Sequence, residues 1–187
     1  MDPAEATLYG AIIAGTFALL GVVVDRLLRL VGRLRFEATG WDRDFYGGDP
    51  EDSYTFGIIP DEDAEKEATQ VGYRTAINLF NGKEVPTGLQ DIAIVLVHED
   101  GKRSPPSRPD DPTTGRPTRH SGYQYDAVVT INVPPRQFVH KGLTGTFGRE
   151  EAVALATGKW KRVEFEGKRP KRPLLWRKTY RKTIVEP

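Results

Sequence analysis

The feature that most constrains this chain is a run of 17 positions without a charge near its start, Leu8 to Val24. At ~1.5 Å rise per residue a helix of that length measures about 26 Å, against the ~30 Å hydrocarbon core that about 20 residues cross. Ala4, Ala6 and Thr7 extend the run backwards, so a transmembrane helix is expected over about residues 6–24. Two other readings compete with it. A core helix of a globular domain normally shows a polar face, and none occurs here before Asp25. A cleaved signal peptide wants a basic start, whereas Asp2 and Glu5 stand there and Leu27, Leu28, Arg29 and Leu30 follow the run.

The flanks give the expected helix a direction. Arg26, Arg29, Arg33 and Arg35 follow it and no Lys or Arg precedes it. Basic residues close to a span stay on the cytoplasmic side, so the expectation is an inner-membrane protein with its amino terminus outside and its carboxyl-terminal bulk in the cytoplasm. Within the run, Gly10, Ala14, Ala18 and Gly21 share one helix face. Small residues in such a row let two membrane helices approach closely, which admits a homo-oligomer or a partner helix, although Gly and Ala are common in membrane helices anyway.

Behind the run lies enough chain for one domain with a real core. Residues 1–33 are assigned to the helix and a juxtamembrane stub, 34–166 to the domain, and 167–187 to a basic tail or edge strand. Alternation of apolar and polar residues with period two marks strands. It runs over Arg33–Trp41, Tyr54–Ile59, Val71–Phe80, Tyr123–Val133, Trp160–Glu166 and Leu174–Val185. Leu89–His98 is the most apolar stretch and is placed centrally, and Phe138–Phe147 is a further strand weakened by Gly142 and Gly145. Lys102–Ser121, with five prolines, is read as a long exposed loop. Arg149–Thr157 is a short helix with Glu150 and Glu151 in its first turn. The class expected is mainly β: a two-sheet, Ig-like β-sandwich with one short helix, or alternatively a partly open β-barrel.

Charge is distributed unevenly. Residues 37–67 hold eleven acidic side chains and two basic ones, while 159–187 hold eleven basic and three acidic. Lys168, Arg169, Lys171, Arg172, Arg177, Lys178, Arg181 and Lys182, interleaved with aromatics, are candidates for binding anionic lipid head groups. The alternatives are nucleic acid, ranked lowest, and a solubilising strand that pairs within the domain. The absence of cysteine excludes disulfides, thiolate zinc sites and a cysteine nucleophile. No phosphate loop, dinucleotide fingerprint or nucleophile elbow occurs, and His98, His120 and His140 each lack a second ligand at metal spacing. Asp42, Asp44, Asp61 and Asp63, with Asp49 and Asp52, admit a calcium site without its glycine-and-glutamate loop signature.

Two motifs carry a resemblance. Asn81 to Leu89 reads NGKEVPTGL and Val133 to Val139 reads VPPRQFV. On these the chain resembles uncharacterised bacterial proteins with one amino-terminal membrane helix and a compact β-rich domain, over about Arg33–Phe165. The resemblance implies that both motifs lie in loops between strands. It carries no assigned activity and no catalytic residue, and it leaves Arg136 exposed, as a functional residue or as a structural tie between loops. Two function classes are therefore held. One is a membrane-tethered, non-enzymatic binding module, without a cofactor and with a protein partner. The other is a divalent-metal-dependent hydrolase or calcium-binding module built on the acidic cluster with His98 or His120.

Overall fold

In a computed structural model the described residues are 14–26, 32–48, 56–118, 123–169 and 179–187. Ten strands and two short helices follow one another: β1 (Leu34–Gly47), β2 (Gly57–Ile59), α1 (Ala64–Glu67), β3 (Ala68–Asn81), β4 (Thr87–His98), β5 (Asp110–Pro117), β6 (Tyr123–Ala127), β7 (Thr130–Val133), β8 (Phe138–Phe147), α2 (Arg149–Ala156), β9 (Trp160–Lys168) and β10 (Thr179–Val185). They form a six-stranded sheet, β2-β1-β3-β8-β5-β6, and a four-stranded sheet, β10-β9-β4-β7. The described strand pairs run antiparallel.

The core follows from alternation. Along β3 the inward side chains are Val71, Tyr73, Thr75, Ile77, Leu79 and Asn81, all buried. From the facing sheet Val163 and Phe165 of β9 and Ile94 and Leu96 of β4 enter the same core. The rings of Phe36 on β1 and Phe165 on β9 lie 5.3 Å apart and join the two sheets. Each such aromatic or aliphatic side chain, fully buried, contributes about 1.5–3 kcal/mol. β4 is buried through six consecutive residues, Ile92–Val97, which is why its sequence reads as a continuous apolar run rather than an alternating one.

Five sequence expectations need correction. The proline-rich segment is not one long loop: Asp110–Pro117 forms β5, and Arg103 and Ser107 bridge to Val97 and Ile94. Prolines are tolerated because the β5–β6 register breaks between Asp111 and Arg116, so a full ladder of N–H donors is never required. Tyr123–Val133 is two strands rather than one, separated at Val128 and Val129, with β6 in the larger sheet and β7 in the smaller. Gly142 and Gly145 do not weaken β8. The ring of Tyr73 occupies the place a side chain at Gly145 would need, so glycine there is a requirement of packing. A second helix, α1, follows the acidic turn at Asp61–Asp63, and the open-barrel alternative gives way to two separate sheets.

The amino-terminal run is described only in part. Residues 14–26 are helical, about 20 Å at 1.5 Å per residue, and among the described residues no helix is long and apolar enough to cross a membrane. The first part of the expected span, residues 6–13, lies outside the described residues. Ala14 and Ala18 are exposed, and space around Gly15 and Gly21 is open; Gly10 also lies outside.

The outer face of the smaller sheet is held by charge. Glu164 of β9 is 5% exposed and accepts hydrogen bonds from Arg103 Nη1 at 2.6 Å and Arg162 Nε at 2.5 Å. Glu166 accepts from Arg181 Nε at 2.5 Å and also pairs with Arg103. Burial by itself would raise the pKa of Glu164, but the hydrogen bonds from Arg162 and Arg103 outweigh it and hold the carboxyl below its ordinary value. A group depressed in the folded state contributes stability above its unfolded pKa, ~4.3, and loses it as pH falls through the lower folded value. Glu164→Gln is expected to cost about 1–3 kcal/mol at neutral pH. In urea titrations, the gap between parent and variant should close as pH drops below about 4.

Candidate functional site

The residues singled out in the sequence divide in space. Asp42 and Asp44 lie along β1, where Arg74 of β3 faces them, pairing with Asp44 and reaching Asp42 at 3.9 Å. Asp61 is 3.9 Å from Arg43, whose guanidinium also donates to the Leu155 carbonyl at 3.0 Å near the end of α2. Asp63 caps α1 without a side-chain hydrogen bond. These carboxylates spread along a face opposite guanidinium groups, and among the described residues no set of three or more His, Asp or Glu could hold a metal ion. Asp49, Asp52 and His120 lie outside the described residues. His140 Nδ1 is 2.9 Å from Asn78 Oδ1, and His98 lies at the end of β4.

The basic tail divides as well. Lys168 reaches Asp91 at 3.2 Å and Arg181 is committed to Glu166. Arg169 and Lys182 both lie over the Tyr180 ring, at 5.6 Å and 5.9 Å from its centroid. β10 is thus an edge strand of the smaller sheet rather than a free tail, and two of its neighbouring cations are neutralised within the domain. Lys171, Arg172, Arg177 and Lys178 lie outside the described residues, as does Arg29.

The two loop motifs meet. Asn81, the last residue of β3, is fully buried. Its amide nitrogen donates to the Val85 carbonyl at 2.8 Å and the Val133 carbonyl at 3.1 Å. Its amide oxygen accepts from Lys83 N at 3.1 Å and Thr87 Oγ1 at 3.3 Å. The backbone of Arg136 closes the arrangement by donating to the Asn81 carbonyl at 2.9 Å and the Lys83 carbonyl at 3.2 Å, while Asn81 N donates to the Gln137 carbonyl at 3.1 Å. Arg136 takes a left-handed conformation, φ +55°, which is uncommon for a residue with a side chain. Its guanidinium lies 3.4 Å from Glu84.

The start of the domain is fastened to the same knot. Gly82 N donates to the Arg33 carbonyl at 3.1 Å. Gly32, at φ +129°, lies so close to the Gly82 carbonyl that any side chain there would collide with it. Tyr180 of β10 donates its hydroxyl to the Leu34 carbonyl at 3.3 Å. Between these elements opens a cleft of about 770 Å³ whose cations are Arg33, Arg35, Arg136 and Lys182 and whose aromatic walls are Phe36 and Phe80. Arg35 lies over the Phe80 ring at 6.0 Å. Two of these cations follow the apolar run, one belongs to the second motif and one to the basic tail. No spacing in the sequence could have joined them, because β-pairing over more than a hundred residues does so.

Removing the Asn81 amide leaves two carbonyls and one N–H of the loops without their partner. Asn81→Ala is expected to lower stability by about 2–3 kcal/mol, read from urea denaturation; a change below about 0.5 kcal/mol would mean that the loops hold without it.

Residues 32–176 match the family model described as YopI Ig-like domain. The chain is 26% identical over 155 residues, 81% of its own length and 83% of the relative's, to the SPbeta prophage-derived uncharacterized protein YopI of Bacillus subtilis (strain 168). Among solved structures it is similar to an uncharacterized beta-sandwich protein from Clostridium difficile 630, at 13% identity and a TM-score of 0.34, over 82% of this chain and 86% of that one. It is also similar to a protein from Archaeoglobus fulgidus, at 11% identity and a TM-score of 0.38, over 79% and 94%. With two antiparallel sheets packed face to face and a family match over most of its length, the chain belongs to the YopI Ig-like domain family.

Proposed function

We propose that this protein is a membrane-tethered, non-enzymatic binding module, held by its amino-terminal helix with the Ig-like domain on the cytoplasmic side of the inner membrane. The observation that carries the tethering is the exposure of the described part of the helix. Phe17 is 72% and Leu19 69% exposed, and Leu20, Val22 and Val23 are exposed with them. Apolar side chains on every side of a helix, with none packed against the domain, match a lipid environment. The arginines that follow favour a cytoplasmic domain.

The binding half of the proposal rests on surface. β10 is an edge strand of the smaller sheet, and Ile58, Tyr123 and Val129 are large apolar side chains left exposed elsewhere on the domain. Exposed strand edges accept partner proteins by strand addition.

Alkaline carbonate washing of membranes from cells expressing the full chain tests the tethering. The chain is expected to remain in the pellet, and a double substitution Leu20→Lys/Val23→Lys is expected to release it. Release of the parent chain by carbonate would overturn the proposal. Cleavage of the carboxyl terminus by protease added to intact spheroplasts would reverse the orientation.

A further inference from the structure

We propose that the cleft at the start of the domain is an anion site for a phosphate group, formed by Arg33, Arg35, Arg136 and Lys182. Its assignment to a phospholipid headgroup, as opposed to a free phosphate, rests on the tethering proposed above; the anion site itself rests on the cleft alone.

Many of the cations elsewhere on the domain are paired with carboxylates. Arg74, Arg103, Arg162, Arg181, Lys141 and Lys168 each face a carboxylate. Among the described residues no carboxylate lines the cleft, and none lies within ion-pair distance of Arg33, Arg35 or Lys182. Arg136 alone has one, Glu84, in a pair exposed on both sides. Gathering like charges without counter-charge is unfavourable, and a bound anion relieves it.

The cations are also positioned rather than scattered. Arg136 is set by its left-handed backbone and by two hydrogen bonds from its N–H into the Asn81 loop. Backbone in a sparsely populated region persists where the surroundings over-determine it, and such positions cluster at ligand sites. Arg35 is laid on Phe80 and Lys182 on Tyr180, contacts that orient a cation while leaving its charge uncompensated. Arginine presents a planar fork of donors that matches phosphate oxygens, and three of the four cations are arginine.

Apolar surface adjoins the charge. Phe80 pairs with Phe138 of β8 at 4.6 Å between ring centroids, and Phe138 is 73% exposed. A phosphodiester carrying glycerol and acyl groups meets both requirements at once, with its phosphate among the guanidinium groups and its apolar part against the rings. The volume of the cleft, about 770 Å³, falls in the range of small-molecule sites.

The test is calorimetric titration of the full chain, held in dodecyl maltoside micelles, with three probes. These are inorganic phosphate, dihexanoyl phosphatidylglycerol and dihexanoyl phosphatidylcholine. Saturable binding of phosphatidylglycerol, with phosphatidylcholine at least about tenfold weaker, is expected, and Arg35→Gln/Arg136→Gln should weaken it about tenfold or more. Arg35→Lys/Arg136→Lys should recover part of the affinity, because charge is kept and only the fork is lost. Lys182→Gln, at an exposed edge position, gives the same reading should the double variant fail to fold. Phosphate binding as tightly as phosphatidylglycerol would support the anion site and assign it to a free phosphate. No saturable binding of either anion, or equal binding by parent and charge-removed variants, would overturn the proposal. The micelle holds the chain whether or not its helix spans a membrane, so this outcome is independent of the carbonate wash.

Discussion

The architecture depends on one buried amide. Asn81 ends the longest inward-alternating strand, and its side chain replaces the hydrogen bonds that β3 can no longer make as the chain turns away. A primary amide suits the place because it offers two donors and an accepting oxygen at fixed angles. Both donors meet carbonyls, one from its own loop and one from the end of β7, and the oxygen holds the loop's N–H and hydroxyl. A polar group sealed in this way costs little to bury, whereas a half-satisfied one would destabilise the end of the sandwich. Because Gly82 and Arg136 are bonded into the same loop, the geometry of Asn81 is passed to the first residues of β1 and to the cleft beside them.

Charge then works in two regimes on this domain. On the outer face of the smaller sheet, Arg103, Arg162 and Arg181 share Glu164 and Glu166, and the hydrogen bonds to Glu164 hold its carboxyl below the ordinary value despite burial. On the outer face of the larger sheet, Arg74 answers Asp42 and Asp44. The formal balance of the chain is close to zero, yet the compensation is local and incomplete. At the start of the domain, four cations have a wall of aromatic rings and a single exposed carboxylate. The described pairings are local: acidic residues of β1 and the following turn meet Arg74 and Arg43, and cations of β9 and β10 meet Glu164, Glu166 and Asp91. Arg33, Arg35 and Lys182 in the cleft are among the described cations without a carboxylate partner.

The alternation of β3 and β9 was legible because their inward side chains keep period two in the residues, whereas β8, its pattern interrupted by Gly142 and Gly145, showed it poorly. β4 was legible for the opposite reason, since burial on both faces leaves an unbroken apolar run. The β5 strand was hidden by its prolines, which a register break accommodates. The division of Tyr123–Val133 between two sheets was hidden because alternation continues through Val128 and Val129 although the pairing partner changes. The spacing of the acidic cluster admitted a cation site beside a solvated acidic face; Arg74 of the next strand faces Asp42 and Asp44, and Arg43 lies near Asp61. The cleft was legible only as fragments. Arg33 and Arg35 read as flanks of an apolar run, Arg136 as part of a loop motif and Lys182 as tail. Only the strand pairing brings these fragments together.

The central claim is that the Asn81 loop is a locked structural element and not a surface turn that happens to be ordered. Native-state hydrogen exchange at the amides of Gly82, Lys83 and Arg136 tests it most directly. All three lie in loops, where exchange is ordinarily fast, but each donates to a carbonyl or amide oxygen of the knot. The account predicts that they exchange only with the slow, global opening that also exposes the core amides of β3. Exchange of these amides orders of magnitude faster than β3 would contradict it.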